Sequence, residues 1–160
     1  MRRRTVMALL AALGLGGHAV LRRALAALGP QAVAEPTMAA VADTMFPGGD
    51  GLPGASALRL HERVLAMSDL RDSIGKGIAW LDKYAASRGA GAFVALDETG
   101  RLAALDAAFA STDDGIRPFV FAMRQHLGQL YYSNATIKTA FAYTGPPQPD
   151  GFADFQERPR

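Results

Sequence analysis

Apolar residues in this chain recur every three to four positions, and no segment sustains the two-residue alternation of a half-buried strand. That spacing makes the body helical. Residues 37–46 place Met38, Val41, Ala42 and Met45 on one side of a short helix. Residues 47–54, rich in glycine and proline, are a loop. Leu58, His61 and Leu65 line a second helix. A third carries Leu70, Ile74, Ile78, Leu81 and Ala85, with Ser68 as its expected N-cap and Gly89 as its stop. Asp97 and Glu98 open a fourth with a stripe of Leu102, Leu105 and Phe109. Asp113 and Asp114 precede a fifth, in whose first turn Pro118 is tolerated. Its stripe is Phe119, Met123, Leu127, Leu130 and Tyr131. A last short helix is expected over residues 135–142. The expected fold is all-α, a compact bundle of five or six helices forming one domain over 35–160, with an aromatic, proline-rich tail.

Charge separates the first thirty-four residues from this body. Arg2, Arg3, Arg4, Arg22 and Arg23 precede the first acidic residue, Glu35. The remaining 12 basic residues face all 15 acidic ones, so residues 35–160 carry a net charge of −3 although the whole chain is +2. A phosphate-binding face would need cations clustered in the folded part, so no nucleic-acid partner is expected. Arg3-Arg4-Thr5-Val6-Met7 has the twin-arginine pattern, and the apolar run over 5–21 is rich in Ala, Leu and Gly. Ala32-Val33-Ala34 matches the small-x-small rule for cleavage, with Ala32 and Ala34 as the small residues. Residues 1–34 therefore read as a twin-arginine signal peptide recognised by the twin-arginine translocase. A run of this length and composition is at the short edge for a membrane-spanning helix. The twin-arginine route carries proteins already folded, commonly around a cofactor.

The body offers no matching cofactor chemistry. It has no cysteine, which excludes disulfides, thiolate metal sites and covalent haem attachment. His61-Glu62-Arg63-Val64-Leu65 begins like a zinc-protease helix, but Leu65 stands where the second histidine ligand is needed. His61 and His126 read as structural residues. The 47–54 loop lacks the Lys-Ser/Thr pair of a phosphate loop and the spaced oxygens of a calcium loop. Asp69 and Asp72, like Asp113 and Asp114, fit helix starts. Ser56, Ser68, Ser73 and Ser133 sit in no nucleophile elbow. No catalytic, cofactor-binding or metal residue is expected in this chain. A protein exported folded yet without a cofactor site is explained if it travels with a partner that has one.

Two motifs carry a family resemblance. Ala42-Asp43-Thr44-Met45-Phe46-Pro47 with Pro53-Gly54-Ala55, and the closing Tyr131-Tyr132-Ser133 followed by Tyr143-Thr144-Gly145-Pro146-Pro147-Gln148-Pro149-Asp150-Gly151-Phe152, resemble the gluconate 2-dehydrogenase subunit 3 family. The similarity runs from about residue 37 to 155. An aromatic residue is frequent in the family near position 138, where this chain has Lys138. The resemblance implies a non-catalytic small, or gamma, subunit. Its partners would be a large dehydrogenase subunit bearing FAD and, in many complexes, a membrane-bound cytochrome c subunit carrying haem c. It implies a periplasmic location at the outer face of the inner membrane, and a role in escorting the large subunit through export.

The C-terminal third is the expected partner interface, because exposed aromatic and proline side chains make contacts at low ordering cost. Tyr132, Tyr143, Pro146, Pro147 and Phe152 are the candidates. Tyr131 lies on the apolar stripe and is expected to face inward, whereas Tyr132 is turned about 100° away. The competing function is a stand-alone periplasmic helical protein, a ligand binder or minor enzyme sharing the scaffold. The competing role for the tail is to seal the chain's own core.

Overall fold

The computed structural model describes residues 29–143 and Gly145. Among them six α-helices form and no strand does: α1 (Gly29–Met45), α2 (Leu60–Leu65), α3 (Arg71–Ser87), α4 (Glu98–Ala110), α5 (Arg117–Ser133) and α6 (Ala135–Ala140). A 3₁₀ turn at Ser68–Leu70 runs into α3, and another at Phe93–Ala95 follows it. The all-α expectation holds. The twin-arginine residues Arg3, Arg4, Thr5, Val6 and Met7 lie outside the described residues.

Helix α5 is the hub, packing against α1, α2, α3, α4 and α6. Its sequence explains this: Phe119, Val120, Met123, Leu127 and Tyr131 fall on one face and are all buried. Fully burying a large apolar side chain contributes roughly 1.5–3 kcal/mol, so this stripe dominates the packing. Pro118 sits in the first turn as expected, where its missing N–H costs nothing. Around the stripe close Met38 and Val41 from α1, Leu60 and Val64 from α2, Ile74 and Leu81 from α3, Leu105 from α4 and Ile137 from α6. Phe93 joins them, its backbone N–H held at 2.9 Å by Asp82 Oδ1. The approach of α3 to α5 depends on Gly77, where a Cβ would stand 2.3 Å from the Phe119 ring.

Four local expectations change. Helix α1 begins at Gly29 rather than at 37, running through Ala32, Ala34 and Pro36. Pro36 removes one backbone donor but does not end the helix, whose later residues Met38, Val41 and Ala42 are buried. The second helix is shorter, Leu60–Leu65, because Arg59 adopts the left-handed conformation at φ 55°. Ser68 makes no side-chain cap; the 3₁₀ turn supplies the entry, and Leu70 occupies the N-cap position of α3. Helix α4 opens at Asp97, whose Oδ1 accepts the Gly100 N–H at 2.8 Å, but it buries Ala104, Leu105 and Ala108 and leaves Leu102 exposed. The two alanines let α4 lie close against the core, which turns Leu102 outward. Gly89 ends α3 at φ 82° as expected.

Candidate functional site

The two motif ends, more than eighty residues apart in sequence, meet at one end of the bundle. Phe46 follows the last turn of α1, its N–H bonded to Ala42 O at 2.9 Å. The chain then reverses in a tight turn: Gly49 and Leu52 exchange N–H···O bonds of 3.0 and 2.8 Å, with Asp50 at φ 50° and Gly51 at φ 82°. Two successive positive φ values are those of a type I′ turn, which the Asp-Gly pair suits.

Asp43 pins this loop to α1. Its Oδ1 accepts the Ser56 N–H at 2.8 Å and its Oδ2 accepts the Ser56 hydroxyl. Gly54 packs so closely that a Cβ there would lie 2.8 Å from Asp43 Oδ1. From the other side Tyr131 donates its hydroxyl to Pro53 O at 3.1 Å and stacks on Phe46 with centroids 5.3 Å apart. Phe46 rests over Gly128 of α5, where a Cβ would stand 3.2 Å from its ring. Burial pushes the Tyr131 phenol above its ordinary pKa, with a smaller contribution from Tyr132, so it stays a donor.

Beside this buried knot lies an exposed one. Tyr132 is 59% exposed and meets the rings of Tyr131 and Phe46 edge-on at 5.5 and 6.1 Å. Phe141, 58% exposed, lies 6.5 Å from Tyr132. Tyr143 is 54% exposed, with Lys138 Nζ 5.8 Å from its ring. Helix α6 creates this arrangement. Asn134 separates it from α5 and caps it through Thr136 N–H at 2.9 Å, while fully buried Ile137 anchors it to the core. Ala142 at φ 50° then turns the chain, and Tyr143 N–H returns to Lys138 O at 2.9 Å. An open groove lined by Tyr132, Ser133, Lys138, Phe141 and Tyr143 results. Of the expected interface residues, Tyr132 and Tyr143 stand together here, and Tyr131 faces inward as expected. Pro146, Pro147 and Phe152 lie outside the described residues.

Of the other candidates, Glu62 and Ser56 are engaged within the protein, whereas the buried Nδ1 of His61 has no hydrogen-bond partner among the described residues. His61 is buried, and ligand atoms of Glu35, His61 and Glu62 lie within 4.8 Å of one another. Glu62, however, accepts two 2.6 Å bonds from Arg59, which hold its carboxyl below the usual carboxylate range. A cation there would compete with a guanidinium already in place. Ser56 gives its hydroxyl to a carboxylate rather than to a base. Among the described residues no helix is long and apolar enough to cross a membrane.

Residues 33–146 match the family model described as gluconate 2-dehydrogenase subunit 3. The chain belongs to that family. No curated protein and no solved structure matches it. As a gluconate 2-dehydrogenase subunit 3 protein it is of a family named for a subunit of a dehydrogenase complex. The matched span takes in the Asp43 loop clamp, the Phe46–Tyr131 stack and the exposed aromatic groove.

Proposed function

We propose that this chain is the non-catalytic small subunit of a periplasmic flavin-dependent dehydrogenase complex. It binds the FAD-bearing large subunit, supports its maturation and carries it through the twin-arginine translocase. The complex works at the outer face of the inner membrane. The observation that carries this reading is the exposed aromatic groove of Tyr132, Phe141 and Tyr143, which lies within the span matched to a family named for a subunit. Three large aromatic side chains more than half exposed at one end of a bundle mark a contact surface.

The test is capture. The tagged full-length chain, expressed in its native host, should co-purify with a large subunit whose absorption spectrum shows flavin. The chain purified alone should hold neither flavin nor stoichiometric metal. Tyr132→Ala with Tyr143→Ala should remove two interface anchors worth about 2 kcal/mol each, weakening capture several hundredfold with unchanged melting. Replacing Arg3 and Arg4 with Lys should strand both proteins in the cytoplasm. A chain that captures no flavoprotein, or carries its own yellow chromophore, refutes the subunit reading.

A further inference from the structure

The aromatic groove is one end of a longer surface. On α5, Phe121 and Tyr132 are eleven residues apart, about three turns, so they share the helix's outer face about 16 Å from each other. Between them the face dips at Gly128, and Phe46 fills the dip. Phe121 is 47% exposed and meets Phe109 of α4 edge-on at 5.4 Å. Phe109 and Phe46 in turn line a groove with Leu102, also 47% exposed. Shared residues thus join Leu102, Phe109 and Phe121 to the Tyr132–Phe141–Tyr143 cluster in one apolar band.

Cations border this band on a body that is otherwise acidic. No Asp or Glu occurs between Asp114 and Asp150, a stretch holding all of α5 and α6. The Arg117 guanidinium lies 5.8 Å from the Phe121 ring, Arg124 lines the groove beside Phe109, and Lys138 stands at Tyr143. The neighbouring carboxylates are Asp106 in that groove, and Glu98 and Asp43 in the cleft next to Leu102, Asp43 being bonded to Ser56. Arg101 lines the same cleft, and its Nε is buried with no hydrogen-bond partner among the described residues.

Resting on the subunit reading above, we propose that the docking surface is this whole band, from Leu102 through Phe121 to Tyr143. Its occupant is a face of the large subunit with an apolar centre and a carboxylate rim. The apolar centre supplies hold, while the Arg117, Arg124 and Lys138 charges select orientation and speed encounter.

The chain contains no cysteine, so single cysteines can footprint the band directly in the full-length protein. Leu102→Cys and Phe121→Cys should react quickly with a maleimide in the dilute free chain and at least tenfold more slowly in the complex with the flavin-bearing subunit. Lys76→Cys, exposed on α3, should react equally in both. Arg124→Glu with Lys138→Glu should weaken capture tenfold or more and flatten its salt dependence. If the complex forms but both cysteines stay reactive in it, the extended band is wrong and the subunit reading stands. If no flavoprotein is captured at all, both fall. Protection already present in the dilute free chain would mean another segment of this chain covers the band. Protection that grows with the free chain's concentration would assign it to a second copy. Protection by vesicles of equal parts phosphatidylglycerol and phosphatidylcholine, without protection by the large subunit, would assign it to the membrane. Each of these three results overturns the proposal.

Discussion

Two glycines in α3, two residues apart, should respond to alanine with opposite signs. Gly75 is exposed, and a Cβ built on it meets nothing within 4 Å. There the substitution changes only the backbone, and alanine is favoured over glycine in a helix interior by up to about 1 kcal/mol. Gly77 is buried, and its Cβ would stand 2.3–2.5 Å from three carbons of the Phe119 ring. Phe119 is fully buried on α5, so the clash falls on the body of a ring with no free space behind it. Overpacking of this kind costs about 3 kcal/mol, which outweighs the same helix gain and leaves about 2 kcal/mol of destabilisation. At about 4 °C per kcal/mol for a domain of this size, Gly75→Ala should melt about 4 °C higher and Gly77→Ala about 8 °C lower than the parent. Thermal melts followed by far-UV circular dichroism on the purified chain measure both. A Gly77→Ala protein melting at or above the parent would refute the close approach of α3 to α5 and the placement of the hub helix.

The loop clamp and the aromatic knot make further predictions. Asp43→Ala strands the Ser56 N–H and hydroxyl, which both bond to that carboxylate, and should cost about 2 kcal/mol in denaturant unfolding. Tyr131→Phe removes only the hydroxyl bond to Pro53 O and should cost about 1 kcal/mol while leaving capture of the large subunit intact. Tyr131→Ala should cost about 3 kcal/mol or more, because a buried ring stacked on Phe46 is lost; Tyr132→Ala next to it should leave stability within about 0.5 kcal/mol. Equal destabilisation by the two alanine variants would show that the exposed tyrosine seals the core rather than meeting a partner.

Sequence patterning located most of the bundle because helix periodicity is a local property. The α5 stripe, Pro118 in its first turn, the Asp97 cap, the Gly89 stop and the division between Tyr131 and Tyr132 all follow from spacing and from the chemistry of single residues. The misreadings fall where local rules are ambiguous. Pro36 looks like a boundary, yet α1 continues through it because its later turns are buried between neighbours. Leu102 looks like core, yet alanines face inward in its place. Phe121 lies off the apolar stripe of α5, so spacing alone gives it no role; only packing reveals that it touches Phe109 and lies in line with Tyr132.

By itself the sequence determined the helical class, the buried faces of α3 and α5, the basic character of the N-terminal segment and the family to which two short motifs belong. These depend on residues within a few turns of one another, where 1.5 Å of rise and 100° of rotation per residue decide the outcome. Only the tertiary structure decided that Asp43, Phe46, Pro53 and Tyr131 close on each other, and that the resulting knot holds Tyr132, Phe141 and Tyr143 out toward solvent. The physical reason is that helix period fixes which face is apolar but not which partner covers it. That choice rests on the small residues Gly77, Gly128, Ala104 and Ala108, which set how closely each pair of helices can approach.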